Sequence, residues 1–261
     1  MILSAHQPSY IPWLGLVNKI LLCDTFCIFN DCQISGEQWE NRNRIKGPNG
    51  EFWLTVPIKG RENRGRKLYE IEIDNTQRWR NKHRKSIINS YQKAKYFSEY
   101  MSFFNEFYSM DFQYLTELNE YFLRWILAIL KIDVEIVRAT DLCLEGQKSD
   151  LVLDMCKKLG ADVYIFGSQG EGYADKDSFE QAGIKLYFQK YIYPAYPQLY
   201  GDFVPYMSVI DLLFNVGAEK AKEIIASGNI SKNNLLEDLK CQQKLKTSTM
   251  NSNRSTNNLQ K

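Results

Sequence analysis

Histidine is scarce: the 261-residue chain has only two, His6 and His83. The six cysteines (Cys23, Cys27, Cys32, Cys143, Cys156 and Cys241) include no C-x-x-C pair. So few and so scattered ligands exclude a structural zinc site, and no metal or other cofactor is expected. The thiols sit mostly within apolar patterns and read as small, reduced hydrophobic residues of a cytosolic protein. No apolar run approaches the roughly 20 residues of a membrane-spanning helix, so no membrane partner is expected. Met1 leads straight into a strand-like run with no basic segment before it. No secretory signal is therefore expected, and a cytoplasmic location follows. A net charge of +2 argues neither for nor against nucleic acid as a partner of the whole protein. Neither the Walker spacing nor the dinucleotide fingerprint is present, and there is no internal repeat.

What is present is an ordinary globular composition, 44% hydrophobic and 25% charged, rich in Tyr (16), Phe (14) and Trp (5). These rings serve first as core filler and second as walls for sugars or bases. Length permits a core that needs no staple. The order strand (1–5), proline-bent loop, helix (13–22), strand (25–29) is a βαβ unit. It predicts an α/β domain with a mostly parallel, Rossmann-like sheet, flanking helices and a helical insertion block. Ligands of such sheets bind at the carboxyl ends of strands, a rule that puts His6 and Asp31 at one edge. Strands are expected at 52–56 and 68–73, flanking a mobile Gly/Arg-rich loop from Gly60 to Lys67. Helices follow over about 77–93, 97–109 and 112–131, the insertion block. A second α/β run has strands near 134–137, 162–166 and 184–188. Its helix over 149–159 is capped by Ser149 or Asp150 and stopped by Gly160. Ser208 with Asp211 resembles a capping box that opens a short helix. One domain over 1–240 is expected, with a disordered polar tail over 241–261.

His6 follows the first strand and stands at a mouth, where the side chain best suited to proton transfer near neutral pH is useful. His83 is the contrast: Trp79, His83, Ile87 and Tyr91 stand four apart, which predicts a packed histidine. Asp31 can orient His6, receive an ammonium, hold a metal or merely cap a turn. In Trp39-Glu40-Asn41-Arg42-Asn43-Arg44-Ile45-Lys46, guanidiniums can grip phosphate and Trp39 can stack on a ring; a solvated loop is the plain alternative. The helix bearing Arg78, Arg80, Lys82, Arg84 and Lys85, with Arg61, Arg64, Arg66 and Lys67, is either an RNA surface or a solvated face. Gly167-Ser168-Gln169-Gly170-Glu171-Gly172 is either an anion cradle or a tight turn. Tyr191, Tyr193, Tyr196, Gln198 and Tyr200 around Pro194 and Pro197 suit sugar recognition or surface packing.

These segments carry a resemblance. His6-Gln7-Pro8-Ser9-Tyr10-Ile11-Pro12-Trp13-Leu14-Gly15, Asp31 and Trp39 to Ile45 resemble the opening of WbqC-like proteins. Tyr196-Pro197-Gln198, Phe203-Val204-Pro205 and the run Ser208 to Asn215 resemble their far end. The likeness covers about residues 1–217. It departs at Tyr193, where the family often has a histidine before the proline. The resemblance implies a bacterial protein of O-antigen or other surface-polysaccharide biosynthesis. It suggests a glycine (aminoacyl) transferase that forms an amide on a nucleotide-linked amino sugar. The activated acyl donor is then an aminoacyl-tRNA or a carrier thioester, and the oligomeric state is open.

On that reading His6 is the base, Asp31 holds His6 or the ammonium, and Gln7 or the glycine-loop amides stabilise the oxyanion. Arg42 and Arg44 bind the diphosphate. Tyr10, Trp13, Lys19, Trp39, Asn41, Asn43, Gly167, Ser168, Gln169, Tyr173, Tyr193, Tyr196, Gln198, Ser208 and Asp211 complete the candidate substrate site. Two other readings stand beside it. One is nucleotidyl transfer, although the H-x-G-H pair is missing. The other is a noncatalytic sugar-nucleotide-binding protein.

Overall fold

Short, continuously apolar strands belong inside a parallel sheet covered on both faces. The computed structural model, which describes residues 1–34, 39–61 and 63–241, puts them there. β1 (Ile2–His6) is the central strand. Helix α1 (Leu14–Leu21) returns the chain to β2 (Thr25–Ile28), parallel to β1 with Ala5 opposite Cys27. The hairpin β3 (Arg42–Gly47) and β4 (Gly50–Thr55) forms a separate two-stranded sheet. The insertion block follows as α2 (Trp79–Tyr91), α3 (Phe97–Phe107) and α4 (Leu115–Ile129). β5 (Glu135–Arg138) then joins the outer edge of β2. Helix α5 (Ser149–Leu159) leads to β6 (Val163–Phe166), parallel to β1 on its other side. Helix α6 (Lys176–Gln181) leads to β7 (Lys185–Phe188) at the far edge. Helices α7 (Val209–Val216) and α8 (Ala218–Ser227) follow.

The sheet order is therefore β5-β2-β1-β6-β7, all parallel. The α/β, mostly parallel architecture and the helical block are as the periodicities predict. Alternation along the strands sorts two cores. Leu3, Cys27, Tyr164 and Phe166 face Val152, Met155 and Cys156 of α5 and Phe179 of α6. Phe26 and Ile28 face Leu16, Val17 and Ile20 of α1 and belong to the larger core that includes the block. Within the block Phe103 stacks on Trp125 with centroids 3.7 Å apart. Gly160 ends α5 in the left-handed conformation, φ 68°, which a residue without Cβ adopts cheaply.

Two compact units emerge, Met1–Asn229 and Ile230–Lys261. In the second, the described residues form one helix over 232–241. The rest of the polar tail, 242–261, lies outside the described residues. No helix among the described residues is long and apolar enough to cross a membrane.

Several local expectations are corrected. Residues 68–73 are not a strand but a 3-10 turn, Leu68–Glu70, followed by isolated bridges at Glu72 and Ile73. Their carbonyls serve α4: Ile71 accepts from the Leu115 amide and Leu68 from the Thr116 hydroxyl. Within Gly60–Lys67, buried Asn63 exchanges two hydrogen bonds with the Glu72 backbone. Residues 42–45 are not a solvated loop; they open a strand with Asn43 and Ile45 fully buried. Lys148 rather than Ser149 precedes α5, and the Ser149 hydroxyl accepts from the Asp175 amide instead. Ser208 does precede α7 but makes no side-chain cap, so there is no capping box.

Candidate functional site

In a sheet of this order the chain leaves β1 toward β2 on one side and later reaches β6 and β7 on the other. The crevice at the carboxyl ends between β1 and β6 is the topological switch point. A cavity of about 990 Å³ occupies it. Its floor comes from strand ends: His6 closes β1, Gly167-Ser168-Gln169 follow β6, and Gln189-Lys190 follow β7. Gln7, Trp13, Lys19, Trp39, Arg44 and Tyr193 form walls, with Tyr191 and Tyr206 beside them.

The aromatic wall is continuous. The His6 ring meets Trp13 edge-on at 5.2 Å, Trp13 lies 6.0 Å from Trp39, and Trp39 lies 5.3 Å from Trp53. Tyr191, Tyr193 and Tyr206 form a second aromatic run, Tyr193 to Tyr206 at 4.4 Å. Such faces bind flat or ring-shaped ligands.

His6 Nδ1 lies 2.8 Å from the carbonyl oxygen of Gln7, which can only accept. The ring therefore donates from Nδ1, and Nε2 carries the lone pair. Burial, aided by the nearby Lys19 ammonium and opposed by the Gln7 hydrogen bond, pulls the His6 pKa down to about 3. The imidazole is neutral at physiological pH. Lys19, 4% exposed, donates to the Ala5 carbonyl at 2.9 Å. Burial lowers its pKa to about 8.

Asp31 is elsewhere. It is ion-paired to Lys67 and lines a second groove of about 840 Å³. That groove also holds Glu120, clasped by Arg124 and Arg138. The turn after β2 carries Asp31 toward Lys67, so His6 Nδ1 donates to the Gln7 carbonyl rather than to a carboxylate. Gln7 itself is engaged, donating from Nε2 to Cys32 Sγ at 3.2 Å and to the Gln33 carbonyl at 3.3 Å.

Arg42 stacks over Trp53 at 4.7 Å. Arg44 pairs with Glu51 at 2.8 Å and also lies over Trp53. Tyr10, Asn41 and Asn43 are buried braces. The Tyr10 hydroxyl bonds His83 Nδ1 and the Tyr108 hydroxyl, Asn41 donates to the Val56 carbonyl, and Asn43 donates to Ile11. His83 is packed, as the four-residue spacing predicts. Buried Tyr196 and Asp211 form a network with half-buried Gln198 outside the cavity lining. The Asp211 carboxylate accepts from Tyr91, Tyr196 and Gln198, and burial raises its pKa. These three fasten the tyrosine-proline loop to α7, so of the expected sugar contacts there Tyr191 and Tyr193 line the cavity. Ser208 is sealed, its Oγ without a hydrogen-bond partner among the described residues. Tyr173 lies against Phe166, 48% exposed, outside the cavity lining. The basic faces of α2 are partly spoken for: Arg80 pairs with Asp111, and Arg84 donates to Asn105.

Sequence reasoning missed Gln189, Lys190 and Tyr206. The carboxyl-end rule, applied to the last strand, would have found the first two. Tyr206 carries no signal; it reaches the cavity through a left-handed backbone, φ 64°.

The model of the WbqC-like protein family matches residues 7–223. An uncharacterized protein of Mycobacterium tuberculosis (strain ATCC 25618 / H37Rv), Rv1507c, is 34% identical over 216 residues, spanning 82% of this chain and 93% of that protein. No solved structure matches.

Proposed function

Because the chain belongs to the WbqC-like protein family, we propose that it serves bacterial surface-polysaccharide biosynthesis as a transferase, forming an amide on a nucleotide-linked amino sugar held in the switch-point cavity. The observation that carries this reading is the cavity's make-up: strand-end polar groups, a buried ammonium and two aromatic runs around about 990 Å³. That volume and lining suit a ring-bearing anionic ligand.

In the reaction the sugar's neutral amine attacks an activated acyl carbonyl. The C–N bond forms, the bond to the donor's leaving group breaks, and the proton lost by the attacking nitrogen ends on the departing thiol or hydroxyl of the donor. His6, held neutral with Nε2 as its lone-pair nitrogen, accepts a hydrogen bond from the amine and aims it. A pKa of about 3 makes the ring a poor reservoir for that proton, so its role is orientation more than storage. With its Nε2 already donating to Cys32 Sγ and the Gln33 carbonyl, Gln7 serves the oxyanion less well than Ser168 or Gln169, which line the cavity.

The same weak basicity favours a second reading, a noncatalytic sugar-nucleotide-binding protein. Nucleotidyl transfer through a histidine pair is disfavoured, since the other histidine is locked in the core by Tyr10. Mass spectrometry of the purified protein with amino-sugar nucleotides and glycyl donors tests the proposal. An acylated sugar nucleotide, diminished in His6→Ala, is expected. No mass gain with any donor, alongside tight sugar-nucleotide binding, would leave the binding-protein reading.

A further inference from the structure

Where the first strand of such a sheet meets its helix, phosphates usually rest on a glycine-rich turn. Here that connection is Gln7-Pro8-Ser9-Tyr10-Ile11-Pro12-Trp13, with no glycine before Gly15 inside α1. A ligand's phosphates need another holder. Arg44 is a weak candidate, already neutralised by Glu51 and stacked on Trp53.

Lys19 is different. Its side chain is buried, its ammonium lines the cavity, and it donates to one acceptor, the Ala5 carbonyl. An ammonium has three N–H groups, so two have no protein acceptor among the described residues. No carboxylate among the described residues pairs with it. The groups around it are the His6 ring, which is neutral, and Cys23, whose thiol donates to the Lys19 carbonyl. Glu40, Arg44 and Lys190 also line the cavity. A buried charge without a counter-charge is costly, and it persists where a ligand supplies the missing partner. On the same lining, the Ser168 hydroxyl and the exposed Gln169 carboxamide make no hydrogen bond to described residues.

We infer that Lys19 is the anchor of an oxyanion subsite for the ligand's diphosphate, completed by Ser168 and Gln169. The inference deepens the proposal above and rests on it only for what the diphosphate is attached to. Binding an oxyanion here holds the proton on Lys19, so at pH values near and above 8 binding draws a proton from solution.

Calorimetric titration of the full chain with inorganic pyrophosphate, and in a separate arm with acetate, tests it. Pyrophosphate is expected to bind the wild type. Lys19→Met, which keeps the hydrocarbon stem, is expected to weaken binding at least about tenfold, the scale of one charge-assisted hydrogen bond. Lys157→Met, at an exposed position of α5, is the charge-matched control, with affinity unchanged. Titrations at pH 8.5 in two buffers of different ionisation enthalpy should report more proton uptake by the wild type than by Lys19→Met, the pyrophosphate's own proton exchange being common to both. Lys19→Gln gives a second variant, and near-ultraviolet circular dichroism confirms that both fold. Unchanged pyrophosphate affinity in folded Lys19→Met, no binding to the wild type, or binding of acetate alone would overturn the inference. Loss of affinity in Lys19→Met with no acylated sugar from any donor upholds the subsite and defeats the transfer. Acylated product with unaltered Lys19→Met affinity does the reverse.

Discussion

Asn43 donates from Nδ2 to the carbonyl of Ile11 at 2.8 Å, while its Oδ1 accepts from the Arg44 amide at 2.8 Å. Ile11 sits at φ 36°, a region that β-branched residues avoid, and it is completely buried. Strand β3 thus braces the strained turn that lets the chain run from His6 into α1. Asn43→Ala should cost about 2–4 kcal/mol in denaturant unfolding, because a buried carbonyl loses its donor and the turn its brace. Asn43→Asp, which cannot donate, should behave similarly; a loss under about 0.5 kcal/mol for either would contradict the brace.

His6 and His83 both titrate far below the ordinary histidine value of 6.5, at about 3 and about 4, chiefly through burial. The unfolded chain therefore binds more protons than the folded one between these values and 6.5. Stability rises with pH across that window and falls as pH drops through it. Each histidine contributes a slope of up to about 1.4 kcal/mol per pH unit. His6→Asn should flatten the pH 4–6 portion of the stability profile by up to one proton, as read by urea unfolding at several pH values. A profile parallel to the wild type would refute this.

Lys19 is also lowered, to about 8. Below that pH its ammonium stays charged and buried, at a cost to the folded state. Removing it relieves this cost, less the lost hydrogen bond to Ala5. Lys19→Met should raise stability at pH 7 by about 1 kcal/mol, seen as a higher Tm. The gain should shrink above pH 8, where the folded wild type sheds the proton.

Gly170 follows β6, and a Cβ there would lie 2.5 Å from Phe166 Cβ and Cδ1. Gly170→Ala must push the 168–172 turn outward, costing about 1–3 kcal/mol. It should also weaken ligand binding, because Ser168 and Gln169 move with it. Calorimetry alongside thermal unfolding checks both.

Asp31 lies in the Glu120 groove, paired with Lys67. Partly exposed pairs contribute about 0–1 kcal/mol. Asp31→Asn should change stability by no more than that and leave sugar-nucleotide affinity intact. A large loss of affinity would return Asp31 to the site.

The sheet and the helical block were legible because long periodic segments record which face is buried. The carboxyl-end rule placed His6 at a cavity for the same reason. What misled was proximity in sequence. Asp31 stands just past β2, yet a turn takes it to Lys67. Residues 68–73 read as a strand because Ile71 and Ile73 alternate with Glu70 and Glu72, but their backbone groups bond to Asn30, Cys32, Lys59, Gln113 and Leu115 rather than to one neighbouring strand. Asp211, Gln198, Tyr196 and Asn43 looked like site residues; their polar atoms satisfy one another and the backbone, contacts that no local pattern displays.

The most direct test of the switch-point assignment is hydrogen–deuterium exchange with and without an amino-sugar nucleotide. Protection is predicted in residues 6–13, 167–170 and 189–193, with the Glu120 groove unaltered. Protection instead at residues 30–31, 67–69, 114–124 and 138–141 would contradict the account and move the site to the other groove.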